Sequence, residues 1–232
     1  MIKLIIFDFS NVCFTLEEPP FLRKFAKKHN LIFSEFESVY NELLYKAEVD
    51  EFSGTELWKR ILQKYNIQDN PETIIPEMMN AKEAHQEILN LAKELRATYK
   101  TAYFTNYNED YWRKIEQKFD LTPYFDWGIV SYQVRTRKPA QEGFAIILDH
   151  FHVQPEEAIF IDDQEKNMIE AVELGIHPIV FKDQKKLLKD FKKYGVELSP
   201  LWSHEKLEAH PLYLSPVAEA LISLDKEYPG YF

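Results

Sequence analysis

Lys3 is followed by an unbroken apolar run, Leu4-Ile5-Ile6-Phe7, and then by an acid, Asp8. A run without alternation predicts a strand at about 2–8, covered on both faces of a parallel sheet. The period then changes. Phe21, Phe25 and Ala26 recur at helical spacing, as do Phe36, Val39, Leu43 and Leu44, and then Leu57, Ile61, Leu62 and Tyr65. Such stripes need a surface to pack against, so these helices form a group. Ser53-Gly54-Thr55-Glu56 and Asn70-Pro71-Glu72 read as helix starts. A further helix is expected over 84–96.

From about residue 98 strand and helix patterns alternate. Strands are predicted at 101–104, 127–130, 158–161 and 178–181, with helices at 109–119, 142–150 and 164–174, the last closed by Gly175. Alternation of this kind implies a parallel sheet with right-handed crossovers, and the first strand must join it to be buried. The expected class is therefore α/β: a doubly wound parallel sheet with an all-helical cap inserted after the first strand. The expected organisation is a core over 1–15 and 81–198, a cap over 16–80 and an extension over 199–232.

Composition narrows the function. At 232 residues, 45% hydrophobic and 15% aromatic, the chain fills a packed core, so disorder is not the default. Twenty-eight basic against 38 acidic residues give a formal charge of -10, and no Lys/Arg stripe interleaves with aromatics, which argues against a nucleic-acid partner. The single Cys13 excludes an internal disulfide framework, and no apolar stretch approaches the roughly 18 residues of a membrane span. The first residues run straight into a core strand without a signal-peptide layout, so a soluble cytoplasmic protein is expected.

Candidate chemistry sits where an open parallel sheet places its ligands, beyond the carboxyl ends of the strands. Strand one ends in Asp8; "TAYFTNYN" ends in Thr105-Asn106; "VSYQVRTRKPA" presents Lys138-Pro139; "AIFIDDQEKN" ends in Asp162-Asp163. Taken singly, each has a simpler reading. Thr105 and Asn106 can cap the next helix, Lys138 can be a solvated loop residue, and Asp162-Asp163 can cap a helix and favour its dipole. Asp8 is harder to dismiss, because an unpaired acid ending a buried strand is costly. Taken together they form a chemical set. Two carboxylates hold a hard cation such as Mg²⁺, a Lys with a hydroxyl and an amide binds phosphate oxygens, and one carboxylate remains as nucleophile.

These four motifs, in this order, resemble those of the haloacid-dehalogenase-like (HAD) hydrolase superfamily with a helical cap after the first motif. The likeness covers roughly residues 1–182. "FDFSNV" is similar to the F-D-x-G-N-V form of a sugar-phosphatase-like branch; "VDEFSGTELWKRI" resembles that branch's cap segment; and "FIDDQEKNMIEAVELGIHPIVF" matches its fourth motif, including Asn167 and Gly175. The resemblance implies an Mg²⁺-dependent phosphatase of a small phosphorylated metabolite, such as a sugar phosphate. In that reading Asp8 is the nucleophile, Lys138 bridges Asp8 and the phosphate, and Ser10, Thr105 and Asn106 complete the substrate site. Asp8, the Ser10 carbonyl, Asp162 and Asp163 hold the metal.

Ser10 departs from the family pattern, in which a second Asp two residues after the nucleophile moves the protons. A serine hydroxyl has no proton to exchange near neutral pH, so help worth about 10²–10⁴-fold is missing. The expectation is a slow or leaving-group-selective phosphatase. The alternatives are a binding or regulatory module on the same fold and, disfavoured by the paired acids, a haloacid dehalogenase. Asn11 in place of the usual Gly tolerates a left-handed turn. Trp58 is expected to pack cap against core, Cys13 to be a small buried residue, and His150 and His152 to lie on the surface. "KDQKKLLKDFKKYG" reads as a surface helix. Beyond it, Trp202, Leu212, Tyr213 and Leu214 form an apolar patch, and Ser215-Pro216 opens a helix that covers the core or joins a second copy into a homo-oligomer.

Overall fold

The structure is a computed structural model that describes residues 1–199. The chain divides into two units, Met1–Gly195 and Val196–Phe232, and the first carries everything that follows. The expected apolar patch and the helix from Ser215 lie outside the described residues.

Five parallel strands make one sheet: β1 (Leu4–Phe7), β2 (Lys100–Thr105), β3 (Trp127–Val130), β4 (Ala158–Asp162) and β5 (His177–Val180), in the order β3-β2-β1-β4-β5. The unbroken run of β1 is explained by its central place: all four of its residues are fully buried. Register aligns Phe7 with Tyr103 on one side and with Ile161 on the other. The ladder continues one step further, since Asp8 N donates to Ile161 O at 2.9 Å. The chain order reverses at β1 and β4, which is where a parallel sheet opens a crevice beyond its strand ends.

Four helices fill the connection from β1 to β2: α1 (Glu18–Lys28), α2 (Phe33–Glu48), α3 (Gly54–Lys64) and α4 (Pro71–Asn80), followed by α5 (Gln86–Leu95), which packs on the sheet. Their stripes meet in an aromatic core, with Phe25 against Phe36 and Trp58 at ring distances of 5.5 and 5.2 Å. α2 is turned from its expected face. Phe36, Tyr40, Ala47 and Glu48 are buried, while Val39, Leu43 and Leu44 are half-buried. The cause is chemical: hydropathy treats tyrosine as marginal, but Tyr40 is buried with its hydroxyl bonded to Tyr111 Oη at 3.1 Å. The insertion leaves and returns through a tied pair of segments, Thr15 N to Glu83 O at 2.9 Å and His85 N to Cys13 O at 2.8 Å. This tie also explains why α5 starts at Gln86: Ala84 bridges Phe14 instead.

The remaining helices are α6 (Glu109–Lys118), α7 (Ser131–Val134), α8 (Gln141–Phe151), α9 (Ile169–Leu174) and α10 (Gln184–Lys193). α7 has no sequence signal of its own. The single helix expected over 164–174 is broken into a 3₁₀ turn, Glu165–Met168, and α9, because Asp162 takes hydrogen bonds from Gln164 N and Asn167 Nδ2 and fixes that turn. α10 buries Leu187, Leu188 and Phe191 and turns its lysines outward. His150 and His152 are exposed, and His150 stacks on Trp127 at 3.9 Å.

The helical insertion meets the sheet-bearing part at the start of α6. Asp110 Oδ2 accepts from Thr55 N and Oγ1 at 2.7 and 2.9 Å, so a core acid satisfies the N-terminus of α3. Trp58 is fully buried and donates through Nε1 to Tyr111 Oη at 3.0 Å. Gly54 stands where any side chain would collide: a Cβ there would lie 2.5 Å from Asn108 Oδ1. Because Asn108 is buried and caps α6, it cannot step aside. Gly54→Ala is therefore expected to destabilise the chain by about 1–3 kcal/mol, the usual cost of overpacking. Urea unfolding checks it, and a midpoint equal to the parent's would contradict the contact.

Candidate active site

All four strand-end motifs converge. The Asp8 side chain follows β1, Asp162 ends the neighbouring β4, and Asp163 directly follows it. Lys138 enters from the loop before α8 and places its ammonium 2.6 Å from both Asp8 Oδ1 and Asp162 Oδ2. Asn106, after β2, holds the lysine's backbone: its Oδ1 accepts from Lys138 N at 2.9 Å and its Nδ2 donates to Lys138 O at 3.3 Å. The Lys138–Pro139 peptide is cis. Phe104 and Phe160 rings lie 5.9 and 5.3 Å from the ammonium and wall it from water. Thr105 is buried with no hydrogen-bond partner for Oγ1.

Three carboxylates, from Asp8, Asp162 and Asp163, each bring an oxygen within 4.8 Å of the other two. Their partners differ. Both Asp162 oxygens already accept, from Lys138, Asn167 and Gln164 N. Asp163 Oδ2 accepts from Asn11 Nδ2 at 3.1 Å, but its Oδ1 is buried without a partner. An orphaned carboxylate oxygen beside Asp8 fits a hard cation, which takes oxygen ligands. Asn11 is left-handed, with φ 61°, as its place in the turn requires.

Burial pushes the Asp8 carboxyl up to about 7; Lys138 opposes this and Asp162 adds to it. Burial alone would lower Lys138, yet Asp162 and Asp8 hold it above the ordinary lysine range, so it stays an ammonium. Asp163 is raised as well, chiefly by burial. Ser10 is half-buried and carries no acid; its Oγ is hydrogen-bonded to Tyr107 Oη at 2.7 Å. Burial pushes Tyr107 well above its usual range, with Glu18 contributing. Cys13 is buried, and burial with the Asp8 charge raises its thiol, which suits a packing residue rather than a nucleophile.

Over Asp8 lies a cavity of about 240 Å³ whose lining includes Ser10, Thr105, Asn106 and Lys138. A more open hollow of about 850 Å³ along β3 and after α6 contains none of the four motifs. The lining also includes residues that the strand-end pattern missed, namely Glu18, Glu48 and Arg137. Arg137 Nη1 is 3.1 Å from Glu48 Oε2. Burial pushes Glu48 up to about 7, against the pull of Arg137 and with help from Glu18. A signal was present: Glu48 ends α2, where an acid opposes the helix dipole, and a residue that breaks a local rule marks a functional place. Among the described residues no helix is long and apolar enough to cross a membrane.

A family model described as haloacid dehalogenase-like hydrolase matches residues 25–181. That span begins beyond Asp8 and Ser10 and takes in Thr105, Asn106, Lys138, Asp162 and Asp163. Flavin mononucleotide hydrolase 1 of Arabidopsis thaliana is 34% identical over 96 residues, 41% of this chain but only 39% of that protein. Glyceraldehyde 3-phosphate phosphatase of Pyrococcus furiosus is 26% identical over 213 residues, 84% of this chain and 87% of that protein. Among solved structures, a HAD family enzyme of Bacteroides thetaiotaomicron, in complex with magnesium and inorganic phosphate, superimposes with a TM-score of 0.69 at 23% identity, covering 81% of this chain and 99% of that one. At that identity the likeness carries the fold.

Removing the ammonium leaves two buried acids uncompensated. Lys138→Ala is expected to destabilise the chain by about 3–5 kcal/mol, and Asp162→Asn on that background to recover part of the loss. Denaturant unfolding of the single and double variants checks this, and additive losses would contradict it. Glu48 gives a pH signature. A carboxyl raised on folding keeps its proton in the native chain after the unfolded chain has lost it, so stability falls as pH rises from its ordinary 4.5 to about 7. Melting temperature measured without divalent ions is expected to fall across that window. Glu48→Gln is expected to remove a loss of about 3 kcal/mol accumulated across that window. Parallel slopes would assign the titration elsewhere.

Proposed function

The chain belongs to the haloacid dehalogenase-like hydrolase family, and on that premise we propose that it is an Mg²⁺-dependent phosphatase of a small phosphorylated metabolite, a sugar phosphate being the preferred class. One observation carries the reading: a buried ammonium shared by Asp8 and Asp162 at 2.6 Å, beside the unpartnered Asp163 Oδ1 and Thr105 Oγ1. Buried polar atoms without partners are rare unless something else completes them. The named activities of the Pyrococcus and Arabidopsis relatives, both acting on phosphate esters, point the same way, as does the phosphate in the Bacteroides structure.

In this reading an Asp8 oxygen attacks phosphorus, the bond to the ester oxygen breaks with its electron pair, and the alkoxide leaves and takes its proton from solvent water. Water then attacks the aspartyl phosphate, releasing inorganic phosphate and restoring Asp8. Lys138 keeps Asp8 oriented and balances charge on the phosphoryl oxygens. Thr105 Oγ1 and an Asn106 amide donate to those oxygens. Asp8, the Ser10 carbonyl and Asp163, with Asp162 behind them, would hold Mg²⁺, which when bound offsets the repulsion between Asp8 and the incoming phosphate. Nothing at Ser10 transfers a proton near neutral pH, because its hydroxyl partner Tyr107 is itself raised by burial. Turnover is therefore slow, or confined to esters whose leaving oxygen needs little protonation.

We assign the division of labour to a core over 1–15 and 81–198 and a cap over 16–80; the tied segments at Thr15 and Glu83 support that division. A cytoplasmic location belongs to the same proposal and is supported by the lone, buried Cys13. A second reading, a binding or regulatory module on this fold, is favoured by Ser10 alone. Phosphate release from p-nitrophenyl phosphate, followed with Mg²⁺ and with chelator, separates them. The expected result is metal-dependent turnover that Asp8→Asn lowers at least a thousandfold, a loss of about 4 kcal/mol in transition-state stabilisation. Equal background rates in parent and variant would leave the binding module.

A further inference from the structure

Buried polar atoms without a hydrogen-bond partner cluster around the cavity over Asp8. They include Thr105 Oγ1, Asp163 Oδ1, Glu18 Oε2, Glu48 Oε2 and Arg137 Nε. Thr105 and Asp163 belong to the phosphate and cation end. The other three come from α1, from the end of α2 and from the loop before Lys138, and the chemistry at Asp8 does not use them. Glu48 is only 5% exposed, and although Arg137 approaches its Oε2 to 3.1 Å, the pair lacks hydrogen-bond geometry. A buried acid and a half-buried arginine whose Nε is itself buried, meeting without satisfying each other, leave one acceptor and one donor for a third group.

Resting on the phosphatase reading, we infer that Glu18, Glu48 and Arg137 form a leaving-group subsite that selects a compact, hydroxyl-bearing alcohol and disfavours one carrying a second anion. A hydroxyl suits this wall because it donates to a carboxylate and accepts from Arg137 Nε at once. A second phosphate or carboxylate does not suit it. Glu18, Glu37 and Glu48 line the same cavity, Arg137 is engaged by Glu48, and Lys166 is exposed. The buried Lys82 near Glu18 donates to Thr15 O at 2.5 Å. Like charges brought together there cost affinity. Size acts in the same direction: about 240 Å³ is below the roughly 300–1,000 Å³ that takes a drug-sized ligand, so a small polyol fits better than a nucleotide.

The test compares kcat/KM for a hexose monophosphate, the corresponding bisphosphate and p-nitrophenyl phosphate. The parent is expected to favour the monophosphate over the bisphosphate by at least about tenfold. In Glu48→Gln, and separately in Glu18→Gln, the ratio of hexose monophosphate to p-nitrophenyl phosphate is expected to fall about 10–100-fold, the size of a lost hydrogen bond to a charged group. An unchanged ratio in both variants, or a parent that favours the bisphosphate, overturns the subsite. If no ester is turned over, the phosphatase reading fails, and calorimetry on the Asp8→Asn chain decides the subsite separately. Tighter binding of the hexose monophosphate than of p-nitrophenyl phosphate, lost with Glu48→Gln, supports it. Equal or absent binding overturns it.

Discussion

A single ammonium organises this molecule. Lys138 Nζ sits 2.6 Å from Asp8 and from Asp162, the side chains that follow β1 and end β4, while Asn106 after β2 clamps its backbone. Three carboxylates within 4.8 Å of one another would repel strongly in a buried setting, and the lysine is the protein cation that makes their approach tolerable. The arrangement is not an efficient way to gain stability, since burying ions costs several kcal/mol per group before their attraction is counted. Its geometry is better understood as a fixed electrostatic framework, prepared before a ligand arrives.

The rest of the fold serves that framework in layers. β1 lies at the centre of the sheet, so the position of Asp8 is set by ladders on both sides. The helical insertion is fastened to the sheet-bearing part through the start of α6, where Asp110 receives Thr55 and Tyr111 joins Tyr40 with Trp58. That helix directly follows Thr105 and Asn106. The segment that carries the phosphate-binding candidates therefore also fixes the helices that roof the cavity, and Tyr107 between them reaches Ser10.

Much of this was legible in the chain. The strand pattern gave the sheet, because parallel strands buried on both faces leave unbroken apolar runs, and the strand-end rule located Asp8, Thr105, Asn106, Lys138, Asp162 and Asp163. What escaped was set by contacts distant in sequence. The buried face of α2 follows from a tyrosine hydroxyl finding Tyr111. The break before α9 follows from Asp162 binding the following turn. Arg137 looks like a surface charge until the fold brings it 3.1 Å from Glu48. Periodicity measures the average environment of an element, and these residues depart from that average.

The replacement at Ser10 gains meaning from the same electrostatics. A carboxylate there would be a fourth acid beside Asp8, Asp162 and Asp163, competing for the one ammonium. Ser10 with Tyr107 supplies instead a hydroxyl pair with no negative charge, and burial of Tyr107 keeps its proton in place. Crowding is relieved, but proton transfer to a departing alkoxide is given up. In the proposed phosphatase reaction, an ester of an acidic alcohol, such as an anomeric hydroxyl, would lose less from this than an ester of a simple one. The proposed subsite of Glu18, Glu48 and Arg137 would then act on alcohols already filtered by their acidity.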